Sequence, residues 1–247
     1  MLKITDDKYI RMKQLSLFLL ALSLLFTACN TKCVEDSGIR VERAQQLEAF
    51  EKLEIRGPIK VILVQDSSYK VRISADSNIV EDVKASISSK TLKLKLDPEK
   101  YCGKDSVIVY AGIIYLKSIR LENGSKLASN GLLNLKDVEL DLDGNTEVNM
   151  DLTTGKMTTN VDGTSKITLR GQAGEHNLKS TGALTLDAFD FVTAKVSMNT
   201  EGVNKANINV LNDLNLETTG TSEVYYKGSP KNINKKKAGT AILKKVN

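Results

Sequence analysis

Few side chains in this sequence could do chemistry. It contains one histidine, His176, and three cysteines, Cys29, Cys33 and Cys102. Polysaccharide cleavage needs paired carboxylates, or a carboxylate with a Lys or Arg base, placed across a cleft. Asp141, Asp143, Asp151 and Asp162 lie close in the phase of the repeat described below. Asp beside Gly is also the ordinary composition of a solvent-facing turn, and these four read that way. A Ser-His-Asp relay would have to use His176, and no Gly-x-Ser-x-Gly elbow accompanies it. His176 has the parity of Leu178, which turns it inward as a core residue rather than outward as a ligand. The calcium-binding Gly-Gly-x-Gly-x-Asp repeat, the P-loop and the dinucleotide fingerprint are absent. The expectation is a non-enzymatic chain with no cofactor and no metal site.

Cys29 has a different chemistry. It follows an apolar run, Leu15 to Phe26, that is as long as a signal-peptide core and too short to span a bilayer. Arg11 and Lys13 supply the basic flank, and a true start at Met12 would leave residues 1–11 outside the leader. The junction Phe26-Thr27-Ala28-Cys29 resembles a bacterial lipobox. That resemblance implies cleavage after Ala28 and acylation of Cys29, with several acyl chains giving stable attachment to a membrane. Residues 1–28 are therefore expected to be a signal peptide, and residues 29–47 a lipidated cysteine and polar tether. An exported compartment permits a disulfide between Cys33 and Cys102. Two buried thiols are the alternative, because spacing in sequence does not set distance in space.

The formal net charge is +5, of which the leader contributes +2: Lys3, Lys8, Arg11 and Lys13 against Asp6 and Asp7. The remaining +3 is too small to argue for nucleic-acid binding. One stretch is strongly basic. Lys231, Lys235, Lys236, Lys237, Lys244 and Lys245 have no acidic residue among them. Lys on a terminal strand blunts it against further stacking, which is the reading favoured here. The sharper reading is a patch for anionic glycans or phospholipid headgroups. Asp105-Ser106-Val107 fits the Asp-Ser/Thr-apolar pattern of O-glycosylation, which makes Ser106 a candidate acceptor.

The elements that must position these residues come from a repeat. Gly124, Gly144, Gly163, Gly182, Gly202, Gly220 and Gly239 are separated by 20, 19, 19, 20, 18 and 19 residues. Each sits in a polar triplet such as Asp143-Gly144-Asn145, where glycine supplies φ > 0. A second turn in each repeat is marked in succession by Gly155, Gly171, Asn212 and Gly228. Between turns the apolar residues alternate: Val138, Leu140 and Leu142, then Val148, Met150 and Leu152, and later Ala194, Val196 and Met198. Such a unit cannot bury its apolar side chains alone and must stack on its neighbours. The fold class is therefore all-β, a single-stranded, flattened parallel β-helix with coils of ~20 residues and two short strands per coil. A stack of hairpins is the competing arrangement. Residues 48–247 form the solenoid domain. Its first half is less regular, as a cap would be, with Asn78 to Val83 as a helical turn. Aromatics make up 5% of the chain and Trp is absent, so thin layers of Leu, Val and Ile must form the core.

Three segments carry a resemblance to a family. They are Phe50 to Gly57 followed by Val61 to Gln65, then Ile73-Ser74-Ala75-Asp76-Ser77-Asn78-Ile79, and finally Ser222 to Pro230. They resemble the "putative auto-transporter adhesin, head GIN domain" lipoproteins, over roughly residues 48–247. The resemblance implies a β-helix like that of pectin lyases but without a catalytic set, and a role in adhesion. It brings no binding residues with it. The family's turns usually read Gly-Ser-Gly, and here the second Gly is mostly Asn, Thr, Ala or Val, which implies that some turns differ in type. The expected function is an adhesin-like or ligand-binding module of the cell envelope, anchored in the outer membrane, with a glycan or protein ligand. A structural periplasmic lipoprotein contacting envelope partners is the alternative, and a polysaccharide-active enzyme is the remote one. A solenoid end or side also offers a homo-oligomer contact, which the sequence leaves undetermined.

Overall fold

The computed structural model describes residues 33–97, 101–103 and 107–246. Strict alternation of burial shapes most of this chain. In β10 (Asp137–Ser180) Val138, Leu140, Leu142, Thr146, Val148, Met150, Leu152, Thr154, Met157, Thr159 and Val161 all face inward, and the residues between them are half-buried or exposed. β10 winds through successive coils without losing strand geometry. It pairs in parallel with β11 (Ala183–Thr200), and β11 pairs in parallel with β12 (Val203–Thr218). β12 pairs with β13 (Thr221–Lys227) and β14 (Asn232–Lys237), and β13 pairs with β15 (Ala241–Lys245). Partners lie one coil apart: Thr164 opposite Ala183, Ala183 opposite Val203, and Val203 opposite Thr221. The result is a parallel β-solenoid of about 6 turns with roughly 20-residue coils and, among the described residues, no helix. All these ladders are parallel, which excludes stacked hairpins for the body.

Two walls enclose the core. Wall A contains β6 (Thr91–Lys95), β2 (Lys52–Arg56), β8 (Ser118–Glu122), then the successive passes of β10, β11, β12 and β14. Wall B contains β7 (Val107–Ile113), β3 (Ile59–Gln65), β9 (Lys126–Asn134), then β10, β11, β12, β13 and β15. Columns of like residues run up the inside: Leu53, Ile119 and Leu140 low on wall A, and Leu178, Met198 and Leu216 higher up. Wall B is interrupted by register shifts, one between Ala188 and Val192 and another between Thr193 and Lys195. The second resets the parity. Thr193 takes the inward position and Ala194 is only half-buried, contrary to the simple alternation.

The corner glycines form a column, and from Gly163 onward each is stacked on the glycine one coil before. A Cβ on Gly182 would collide with the Gly163 carbonyl, one on Gly202 with that of Gly182, and one on Gly220 with that of Gly202. Gly124, Gly144, Gly163, Gly202 and Gly239 have positive φ, but Gly182 and Gly220 do not. The expectation of φ > 0 at all seven is therefore corrected: close backbone approach demands glycine at those two. At the second corner Gly174 stacks on Gly155, while Gly171, expected there, faces the Leu152 carbonyl with φ +107.

The N-terminal cap departs from chain order. β2 lies between β6 and β8, and β3 lies between β7 and β9, so a coil later in sequence covers the first one. Antiparallel strands close this end. β5 (Lys84–Ser88) pairs with β6, β4 (Lys70–Asp76) with β7, and β1 (Arg40–Gln46) with β4. Residues 40–46, read above as part of a tether, are thus a strand of the folded unit. Its ladder is reinforced by polar groups rather than apolar packing: Arg43 Nη2 donates to the Val83 carbonyl at 2.6 Å, and Arg40 Nη2 to that of Ser74 at 3.0 Å. The Asn78–Val83 segment forms consecutive turns, with Val80 N donating to Asp76 O at 2.9 Å.

Candidate functional site

The four aspartates do not converge on a cleft. Asp141, Asp143 and Asp162 line a shallow groove of about 450 Å³ with Arg120, Asn160, Lys179 and Thr181. Asp141 accepts from Asn160 Nδ2 at 2.8 Å, and Asp162 accepts from Thr181 Oγ1 at 3.3 Å. Asp151 points elsewhere and pairs with Arg170 at 2.8 Å. These carboxylates tie one coil to the next. His176 is buried, its Nε2 3.0 Å from Thr159 Oγ1 and its ring edge-on to Phe191. Burial pushes its pKa down to about 4, so it is neutral at physiological pH. Among the described residues no cluster of His, Cys, Asp and Glu could hold a metal ion.

Cys33 and Cys102 form a disulfide, with Cα atoms 5.6 Å apart. Beside it Cys102 N donates to Val34 O at 3.1 Å, and Tyr101 OH donates to Asp36 Oδ1 at 2.8 Å. The clasp fastens the chain entering β1 to the cap. Cys29 and Ser106 lie outside the described residues, as does the leader. Among the described residues no helix is long and apolar enough to cross a membrane.

The C-terminal lysines divide by parity. Lys235 occupies the inward column of Leu178, Met198 and Leu216, and Lys245 that of Ile208 and Tyr226. Both are nevertheless exposed, because the terminal coil is covered by nothing in the described chain. Lys231, Lys236 and Lys244 are exposed too, with Lys236 opposite Glu217 and Lys244 opposite Tyr225. Lys237 lies opposite Thr218.

The outer faces of the two walls differ. Wall A carries coil-to-coil bonds toward its end: Asn232 Nδ2 donates to Asp213 at 2.7 Å, and Asn234 Nδ2 to Asn215 at 3.0 Å. On wall B, Asp187, Asn207, Tyr225 and Lys244 stack in one outward column. Their side chains have no hydrogen-bond or ion-pair partner among the described residues. A groove of about 600 Å³ runs along the corner of this wall past Lys166, Thr185, Lys205 and Glu223.

Two features escaped the sequence reading. One is a run of hydroxyls at the buried corner, where Thr146 and Ser165 lie 2.8 Å apart and Ser222 lies 3.1 Å from Thr200 and 2.8 Å from Thr218. The one-coil spacing of Thr146 and Ser165, and of Thr200 and Thr218, was the available signal. The other is the contact of Lys227 Nζ with the Phe189 ring, 4.8 Å from its centroid. It depends on a bulge that no periodicity announces.

These features define a capped parallel β-solenoid with flat polar walls. Residues 49–230 match the family described as "putative auto-transporter adhesin, head GIN domain", and the chain belongs to that family. Three crystal structures share the architecture. A "putative adhesin" from Bacteroides fragilis is 19% identical with a TM-score of 0.76, over 86% of this chain and 100% of that one. One from Parabacteroides distasonis is 18% identical, with a TM-score of 0.65, over 87% and 100%. One from Parabacteroides merdae is 20% identical, with a TM-score of 0.60, over 88% and 100%. At these identities the likeness shows the fold. No curated protein matches the chain.

Proposed function

We propose that this protein is a non-enzymatic, adhesin-like lipoprotein of the outer membrane that presents its solenoid walls to glycans or proteins. The observation that supports it best is wall B, where unpaired polar side chains repeat in register from coil to coil. Rows spaced by ~4.8 Å suit many weak contacts acting together. The description of the family and the names of its structural relatives point the same way. Lipid on Cys29 would hold the module to the membrane and leave the solenoid in the aqueous phase.

The test is to pass the full mature protein over arrays of glycans and extracellular proteins, and to follow the length of any bound polysaccharide. Binding with unchanged chain length is expected. Shortening of the polymer would overturn the non-enzymatic reading, and silence on every array would overturn the adhesin-like one. In cells, Cys29→Ser should abolish labelling by a fatty-acid probe and release the protein from the membrane fraction. Full labelling of that variant would contradict lipidation.

A further inference from the structure

We infer that the outer face of wall B formed by β11, β12, β13 and β15 is a binding site for acidic polysaccharide, a reading that rests on the proposed adhesin-like function. After Tyr115 the chain has only four aromatic residues, Phe189, Phe191, Tyr225 and Tyr226. Phe191 is buried, and Tyr226 follows the inward column of Ile208. Phe189 and Tyr225 are half-exposed on a face that otherwise carries polar side chains and the exposed Val203 and Ile242.

Their placement is fixed by the backbone. Phe189 sits in the register shift between Ala188 and Val192, where the chain leaves the ladder. Asn209 Nδ2 donates to the Phe189 carbonyl at 3.1 Å and secures that bulge. Lys227 lies over the ring at 4.8 Å, two residues along β13 from Tyr225 and on the same face. Beside them run Asp187, Asn207 and Lys244, without partners in the described chain. Ladders at the same spacing on wall A bond coil to coil, so geometry alone does not leave these groups free.

The chemistry is complementary to a sugar acid. Aromatic faces pack against the C–H face of a pyranose ring, which is apolar. Amide and carboxylate side chains such as Asn207 and Asp187 take ring hydroxyls. Lys227 and Lys244 supply charge-assisted bonds to carboxylates. No acidic residue follows Glu223, so the last coil adds positive charge to this end of the face. Rows repeat every ~4.8 Å along the axis, close to the advance of a linear polymer by one sugar unit.

The experiment is calorimetric titration of the full mature protein with polygalacturonate, its fully methyl-esterified form, and dextran. Binding to the acidic polymer is expected, weakening as salt rises. Esterification should weaken it roughly tenfold or more, as should the double change Lys227→Gln with Lys244→Gln, since each removes charge-assisted contacts. Tyr225→Ala should weaken it as well, whereas Lys179→Gln on wall A should not. Unchanged thermal midpoints will show that the variants fold. Equal binding of the esterified polymer, full retention by the double variant, or stronger binding to phosphatidylglycerol vesicles would each overturn the site. Silence with these polymers beside a positive neutral-glycan or protein array would sink this inference and leave the adhesin-like reading standing.

Discussion

His176 is a buried base with one polar contact, the Thr159 hydroxyl. In the unfolded chain an imidazole takes up its proton near 6.5, while burial holds this one down to about 4. Above pH 6.5 both states are neutral and the native fold keeps its full stability. As pH falls toward 4 only the unfolded chain gains the proton, so stability drops, by roughly 3 kcal/mol at the limit. Urea midpoints should fall across that window, and His176→Gln should flatten the slope. An unchanged slope would place its cause elsewhere. Gly182 makes a second test at this scale. With ordinary φ but no room for a Cβ, Gly182→Ala should cost more than Gly131→Ala, where φ is +87 and no atom lies within 4 Å. The latter should lose only about 1 kcal/mol, the cost of a left-handed L-residue. Parity with Leu178 made the inward turn of His176 legible in the sequence. Its partner was not, because pairing across coils requires the register, which the shifts in wall B disturb.

Among the elements, those of the body were legible, and so were β2, β3, β4 and β6 of the cap, but β1 and the order of the cap strands were not. β10 to β13 alternate with apolar residues on one parity, and stacking consecutive coils is the natural outcome. β1 has only two apolar residues, the half-buried Val41 and the exposed Ala44, on opposite faces, which leaves no hydrophobic period to read. The interleaving of β6 and β7 with β2 and β3 is equally silent, since any two amphipathic strands of similar length could be neighbours. The disulfide bears on this region. It closes a loop of 69 residues, and in chain-entropy terms that is worth roughly 4 kcal/mol. The reduced protein, or Cys33→Ser with Cys102→Ser, should unfold at lower urea, with earlier amide exchange in β1 and β4 than in β10. Uniform exchange along the chain would mean that the clasp does not act on the cap.

At the scale of the molecule the two ends are treated differently. The N-terminal end is closed by antiparallel strands. Among the described residues β14 and β15 each pair on one side only, and Lys235 and Lys245 stand where earlier coils have apolar residues. A further coil could stack there only by burying those charges, which is costly. Lys235→Leu with Lys245→Leu should therefore promote end-to-end association, seen as rising light scattering with concentration. A variant that stays as monomeric as the parent would deny the lysines this role. Edge protection was legible in the basic run, but only the register shows which lysines serve it. From β6 to β14 wall A climbs eight strand spacings, or roughly 40 Å. The disulfide and β1 sit at the capped end, so the lysine-rich coil and the open face of wall B lie toward the other end of the solenoid.

That arrangement is useful to an adhesin only if the solenoid stands outside the cell. The decisive measurement is labelling of intact cells with a membrane-impermeant amine reagent, followed by recovery of the protein and mapping of Lys231, Lys236 and Lys244, all exposed in the structure. Labelling of these lysines in sealed cells is the predicted result. Labelling only after the outer membrane is opened would place the solenoid in the periplasm and contradict the adhesin account.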